Sequence, residues 1–380
     1  MSNNREISIY VHWPFCESKC PYCDFNSHVR ESIDEEIILQ CYLQEISLYK
    51  DIISAKKIKS IFFGGGTPSL ASPKMFASIL KYIDSIRVID NCTEITIEAN
   101  PGSSEAMKFI EFASAGINRV SIGVQSFEEK SLRFLGRKHN ASAAKKAIEY
   151  ADRAFKNYSF DMIYALPWHT EENWAEELNS ALEYAKYHIS LHQLTIEKGT
   201  KFFKDYTLKK FHLPQEELAA DLYSITNNIL AKNNFKQYEI SNYARDPFYC
   251  QHNLIYWQYN NYLGIGPGAH GRISINGEKF ATVNVHMPEK WIELASKKQF
   301  PYQSKELLTT DDQTKEKLLM GLRLVDGIIF GEVKNDETLQ SRINEMAAEG
   351  LLKIKNARVS TTKRGQLVLN SIINIALELR

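Results

Sequence analysis

Short apolar runs alternate with longer amphipathic stretches from the start of the chain to about residue 245. The runs lie at 7–13, 58–63, 94–98, 119–124, 159–165 and 190–196, and their composition and length predict strands. Between them, apolar residues recur at helical spacing over 33–53, 73–86, 104–115, 128–135, 141–154 and 171–187. Strand–helix repetition of this period builds a parallel sheet with helices outside. Six units predict an α/β fold, a partial (β/α)6 TIM-like barrel.

In such sheets ligands sit at the carboxyl ends of the strands. Here those ends carry residues that packing does not require. The first strand runs into a cysteine loop. The second ends in Gly64-Gly65-Gly66-Thr67-Pro68, the third in Glu98-Ala99-Asn100-Pro101 and the fourth in Gly123-Val124-Gln125-Ser126. The fifth contains Asp161.

From about residue 305 the texture changes. Thr310-Asp311-Asp312 reads as a helix cap, and a helix follows through Arg323. A second helix at 337–349 leads to short strands at 351–355 and 358–361 that turn at Asn356-Ala357, and a last helix starts near Lys363. This order predicts a small winged-helix-like α+β module. The expected division is 1–245 for the barrel, 246–304 for a connecting region and 305–380 for the C-terminal module. Residues 305–380 hold 12 Lys/Arg against 11 Asp/Glu, so the module lacks the basic surface of a nucleic-acid binder.

With 44% apolar and 24% charged residues, the chain can bury a large core. Its formal net charge is zero, which argues again against nucleic acid as a partner. No apolar signal core stands at Met1–Ile7 and no run of 18 apolar residues occurs, so neither export nor a spanning helix is expected. The six cysteines form no disulfide framework; Cys41, Cys92 and Cys250 are scattered and read as free thiols. A reducing, cytoplasmic compartment fits.

Cys16, Cys20 and Cys23 carry the chemistry, in the spacing C-x3-C-x2-C. Three thiolates can hold three irons of a 4Fe–4S cube, one short of the usual complement. The open iron can then take the amino and carboxylate groups of S-adenosylmethionine (SAM). His28, five positions after Cys23, leaves a Cys3His zinc site as the alternative. The glycines of 64–66 let a backbone approach a ligand, or form a plain turn. Glu98, Gln125 and Asp161 suit ribose hydroxyls and an amino group, or cap the next helix. Arg137 can fork onto a carboxylate, or sit solvated at the surface. Tyr10 can bond SAM, or pack. In Gln251-His252-Asn253-Leu254-Ile255-Tyr256-Trp257, helical spacing sets His252 beside Tyr256 and Asn253 beside Trp257. That is an imidazole for a haem iron, or an amphipathic helix end packed on the barrel.

Together these pieces resemble the radical-SAM family of oxygen-independent coproporphyrinogen III oxidases and their relatives. The resemblance spans nearly the whole chain. It is most specific at Tyr10-Val11-His12-Trp13-Pro14-Phe15-Cys16, Cys20-Pro21-Tyr22-Cys23, Gly64–Pro68, Gly123-Val124-Gln125 and Asp161 before Ala165-Leu166-Pro167. It implies a radical-SAM partial barrel with Cys16, Cys20 and Cys23 on the cluster. It implies Tyr10, Tyr22, Gly65, Gly66, Thr67, Glu98, Gln125, Arg137 and Asp161 around SAM. The dehydrogenase branch carries a further cysteine two positions after the third ligand, where this chain has Phe25, and a longer segment before the cluster than the 15 residues here. The HemW-type haem-chaperone branch is similar at Cys23-Asp24-Phe25-Asn26-Ser27 and at the motif His252–Trp257, which is associated there with haem handling. The resemblance therefore implies a haem chaperone that binds haem through His252, Tyr256 and Trp257 and passes it to respiratory apoproteins. Self-association and loose membrane contact are further implications. The enzyme alternative is coproporphyrinogen III dehydrogenation.

Overall fold

The structure, a computed structural model, describes residues 5–329 and 337–377. Residues 1–4, part of the Met1–Ile7 stretch without an apolar signal core, lie outside them. Six parallel strands stand side by side in chain order: β1 (Glu6–Trp13), β2 (Lys57–Gly65), β3 (Glu94–Ala99), β4 (Arg119–Gln125), β5 (Asn157–Tyr164) and β6 (His188–Gln193). These are the six expected units. The sheet continues on both sides of these six. At one edge β7 (Lys236–Glu239) and β8 (Asn242–Ala244) form a hairpin, with β8 antiparallel to β6. At the other, β9 (Tyr262–Ile265) runs parallel to β1 and leads into the antiparallel strands β10 (His270–Ile275), β11 (Glu278–Asn284) and β12 (Tyr302–Leu307). The result is a mixed sheet of 12 strands in the order β12-β11-β10-β9-β1-β2-β3-β4-β5-β6-β8-β7.

Helices cover the outer face because every second strand residue there is apolar. Ile9, Val11, Ile61, Phe63, Ile97 and Phe160 are buried in one core with helix residues such as Ile38, Phe76, Ile79 and Ile148. Side-chain oxygens cap the helix starts: Asp34 accepts from Glu36 N and Ile37 N, Asn140 from Ala143 N, and Thr170 closes a capping box with Asn173. The helix expected over 33–53 is two, Glu35–Leu48 and Lys50–Ser54. It breaks at Tyr49, which is buried and donates its hydroxyl to Tyr302 of β12 at 2.8 Å. The helix expected over 104–115 also divides, into Ser103–Ala106 and Phe109–Ser114. Strand β6 starts at His188, two residues before its expected start.

The β9–β12 extension is fastened to the helix Glu35–Leu48 by one carboxylate. Glu45 is buried and accepts from Gly266 N (2.9 Å), Asn284 Nδ2 (2.7 Å) and Trp291 Nε1 (2.6 Å).

The C-terminal module comprises the helices Thr310–Gly321, Glu337–Ala348, Lys363–Leu367 and Leu369–Leu377 with a three-stranded sheet of Ile328–Ile329, Arg358–Thr361 and Leu352–Lys355. The first cap belongs to Thr309, whose side chain and that of Asp312 close a capping box. Asn356 and Ala357 both adopt positive φ, as a two-residue hairpin turn of the primed type requires. The module has its own core around Leu318, Ile343, Val359 and Ile372. It docks on the extension through Glu316, which takes Arg272 at 2.8 Å and the Tyr259 hydroxyl at 2.6 Å. Among the described residues no helix is long and apolar enough to cross a membrane.

Candidate functional site

Side chains alternate across a strand. In β1–β6 the outward set is apolar and the inward set is largely polar, which is unusual, because barrel interiors are normally filled with branched apolar side chains. Tyr10, Glu98, Ser121, Asp161 and Ser190 all face one cavity of about 870 Å³. Arg119 and His188, the first residues of β4 and β6, also line it. The cysteine loop lies at the opposite, carboxyl ends of the strands. Cys16, Cys20 and Cys23 all face the same cavity.

The glycine run holds that loop. Gly66 N donates to Trp13 O (2.6 Å) and Thr67 N to Phe15 O (2.8 Å). A Cβ on Gly66 would stand 2.5 Å from Phe15 O, so only glycine permits this approach. Gly65 has φ of +113°, and a Cβ there would strike the His12 ring at 2.5 Å. Its N–H donates to Glu98 Oε2 at 3.0 Å. The N–H groups of Gly65, Gly66 and Thr67 thus build the site rather than face a ligand.

Two donors reach the sulfurs. Thr67 Oγ1 donates to Cys16 Sγ at 3.3 Å, and Arg137 Nη1 to Cys20 Sγ at 3.5 Å. Arg137 is no surface charge: Nη2 is fixed by Asn100 Oδ1 (2.7 Å) and Gly123 O (2.9 Å), and Nη1 also points at the Tyr22 hydroxyl. Burial pushes the Cys16 and Cys23 thiols up, and the neighbouring sulfurs add to the effect. A positive centre among the three would reverse that, since coordination deprotonates a thiol. Among the described residues, no three His, Cys, Asp or Glu side chains close around a single ion. His28, the fourth ligand of the zinc alternative, does not line the cavity; its Nε2 is tied to Asn26 Oδ1 at 3.1 Å. Three sulfurs that line one cavity fit three irons of a cube, and the Cys3His zinc alternative is left without its histidine.

Glu98 and Asp161 cap no helix; both face the cavity. Burial and the nearby Asp161 charge push the Glu98 carboxyl up to about 8, against the opposing hydrogen bond from Gly65. Asp161 accepts from Ser121 Oγ at 3.4 Å. Gln125 sits at an irregularity of β4 with φ of +69° and also lines the cavity.

The motif at 252–257 divides. Its helix, Gln251–Trp257, is started by Glu94, which accepts from Gln251 N and His252 N at 3.0 Å each. His252 and Tyr256 line the cavity, but Trp257 does not; it lies beneath the Arg323 guanidinium of the C-terminal module. His252 is 1% exposed and both ring nitrogens are engaged, Nδ1 with Ser60 Oγ and Nε2 with the Tyr256 hydroxyl, each at 2.8 Å. Burial drives its pKa down to about 3, so the ring is neutral. The imidazole expected to be open to a haem iron is closed in this arrangement. His12 is likewise fixed between the Tyr10 hydroxyl (2.9 Å) and Asn26 O (2.8 Å).

Sequence reasoning passed over Arg119, Ser121, His188, Ser190 and His192. Their signal was present: each is the polar member of an alternating strand whose other face is apolar.

The family model of the Radical SAM superfamily matches residues 10–181, and that of the HemN C-terminal domain matches residues 308–368. The chain is 36% identical over 383 residues to the protein named heme chaperone HemW of Haemophilus influenzae, covering 98% of each. It is 34% identical to the mitochondrial radical S-adenosyl methionine domain-containing protein 1 of Bos taurus, covering 97% of this chain and 87% of that one. Among solved structures, coproporphyrinogen III oxidase (HemN) from Escherichia coli superposes with a TM-score of 0.82 at 20% identity, over 98% of this chain and 90% of that one, a likeness of fold.

Proposed function

Because the chain belongs to the radical-SAM family and is closely related to its HemW and HemN members, we propose that it holds a 4Fe–4S cluster and SAM at the cysteine end of the barrel and handles a tetrapyrrole in the cavity beside them. Membership implies both SAM and the cluster. Cys16, Cys20 and Cys23 would hold the cluster, with Thr67 and Arg137 donating to its thiolates. Tyr10, Tyr22, Gly65, Gly66, Glu98, Gln125 and Asp161 would surround SAM. Reduced cluster and SAM together supply a carbon-centred radical. The observation that carries the reading is the cavity of about 870 Å³ that reaches from the three cysteines past Glu98 and Asp161 to Arg119, room for a ligand beyond SAM itself.

Within that reading, haem delivery comes first. Relatives of matching length are named heme chaperones, and Phe25, 57% exposed, lines the cavity where the dehydrogenase branch carries another cysteine. Haem would leave for apoproteins, respiratory ones among them. The winged-helix-like reading of 305–380, self-association, loose membrane contact and a cytoplasmic location belong to this proposal.

Oxidative decarboxylation of coproporphyrinogen III is the second reading. It is favoured by the assembly of every expected SAM-contacting residue around the cavity, which pure haem carriage does not require. Anaerobically reconstituted protein decides between them. Haem uptake with a new Soret band and no protoporphyrinogen from coproporphyrinogen III supports the chaperone; catalytic protoporphyrinogen formation supports the enzyme and removes the chaperone reading.

A further inference from the structure

Arg119 is 2% exposed, yet it lines the cavity at the end away from the cysteines. A guanidinium has five N–H donors. Its one hydrogen bond among the described residues runs from Nη2 to Ser159 Oγ at 2.6 Å, and Nε–H, sealed from solvent, has none. Two carboxylates, Glu94 and Asp161, lie within electrostatic reach, but neither accepts a hydrogen bond from the guanidinium. The Glu94 oxygens accept the N–H groups that start the helix Gln251–Trp257, and Asp161 Oδ1 accepts from Ser121 Oγ. Beside Arg119, His188 repeats the pattern: it lines the cavity, Nε2 meets the Tyr238 hydroxyl at 2.8 Å, and buried Nδ1 has no partner. Buried polar groups are nearly always satisfied. Arg119 and His188 each keep a buried nitrogen without a protein partner among the described residues, and both side chains line the same cavity.

We propose that Arg119, with His188 beside it, forms a carboxylate-recognising subsite that anchors an acid side chain of the cavity's ligand at the end opposite the cluster. Arginine's planar fork matches a carboxylate with two parallel hydrogen bonds, and a dry setting strengthens them. The ligand class is thus an organic acid. On the proposed function it is a tetrapyrrole held by a propionate, with its ring toward SAM. The subsite itself does not depend on which of the two readings holds.

Two measurements on the reconstituted holoprotein test this. In the first, iron protoporphyrin IX and its dimethyl ester are titrated into the wild-type protein. The free acid is expected to bind at least about tenfold more tightly, the worth of one charge-assisted hydrogen bond. In Arg119→Gln, with cluster content and SAM binding checked, that ratio is expected to fall toward one. Equal binding of acid and ester by wild type overturns the subsite without needing any variant. In the second, millimolar propionate alone is expected to raise the melting temperature of wild type but not of Arg119→Gln. If wild type binds neither porphyrin, the tetrapyrrole reading fails while the propionate shift still decides the subsite; no shift, or the same shift in both proteins, overturns it.

Discussion

His252 and Tyr256, one helical turn apart, close on each other, with the hydroxyl 2.8 Å from Nε2 and the rings edge to face at 89°. Ser60 takes the other nitrogen, and Phe62 stacks on the ring at 4.9 Å. The histidine that sequence marks for haem therefore begins as part of the barrel wall. An iron seeking Nε2 must displace Tyr256.

Removing either partner separates wall from ligand. His252→Ala loses a stacked ring and two hydrogen bonds and should cost about 2–4 kcal/mol of stability by denaturant titration. Tyr256→Phe should cost about 1 kcal/mol but release Nε2. If haem draws on His252, a Soret titration will show Tyr256→Phe binding haem at least as tightly as wild type. Weaker binding would mean that Tyr256 itself makes the contact.

Glu98 gives SAM binding a pH dependence. Burial and Asp161 raise its carboxyl to about 8, so at neutral pH much of it is protonated. The ionised form suits a cationic ligand, and SAM affinity should rise as pH climbs through that value. Asp161→Asn removes the repelling charge and should move the inflection to lower pH. Equilibrium dialysis from roughly pH 6.5 to 9, a span that brackets that carboxyl, reads both; an unchanged inflection contradicts the coupling.

Glu45 is the fastening of β9–β12. Glu45→Ala strands three buried donors, Gly266 N, Asn284 Nδ2 and Trp291 Nε1. With about 1–3 kcal/mol for each buried group left unsatisfied, roughly 3 kcal/mol or more should be lost in denaturant melts. The loss should appear first in Trp291 fluorescence.

Thr67 tunes the sulfur of Cys16. A hydrogen bond to a thiolate ligand favours the reduced cluster. Thr67→Val should therefore make the reduction potential more negative while leaving iron and sulfide content intact. An unshifted potential in a redox titration would show that the contact at 3.3 Å does not act on the cluster.

The six repeating units, the cysteine loop and the glycine run were legible because each follows from local pattern. Parallel strands separated by helices announce themselves by period, and Gly65 and Gly66 sit where a side chain would strike His12 or Phe15. The pairing of β9–β12 was less legible, since it joins residues distant in the chain: β9 meets β1 across more than 250 positions, Ser8 opposite Tyr262. Tyr49 broke a helix whose periodicity ran on, for a partner on β12 that no local window contains. Arg137 resembled a surface charge until the fold brought Asn100, Gly123 and Cys20 to it. Trp257 shares a motif with His252 but, on another side of a short helix, meets Arg323 instead of the cavity. Arg119 and His188 could have been found by asking what an inward polar residue does on a strand with an apolar outer face.

On the proposed function, Cys16, Cys20 and Cys23 carry an iron–sulfur cube whose fourth iron accepts SAM. Low-temperature electron paramagnetic resonance of the dithionite-reduced, anaerobically reconstituted protein, with and without SAM, tests it most directly. A reduced 4Fe–4S signal is expected whose g-values shift on adding SAM, the signal vanishing when the three cysteines are replaced by serine. A protein that holds zinc without labile sulfide, or a cluster signal indifferent to SAM, would contradict it.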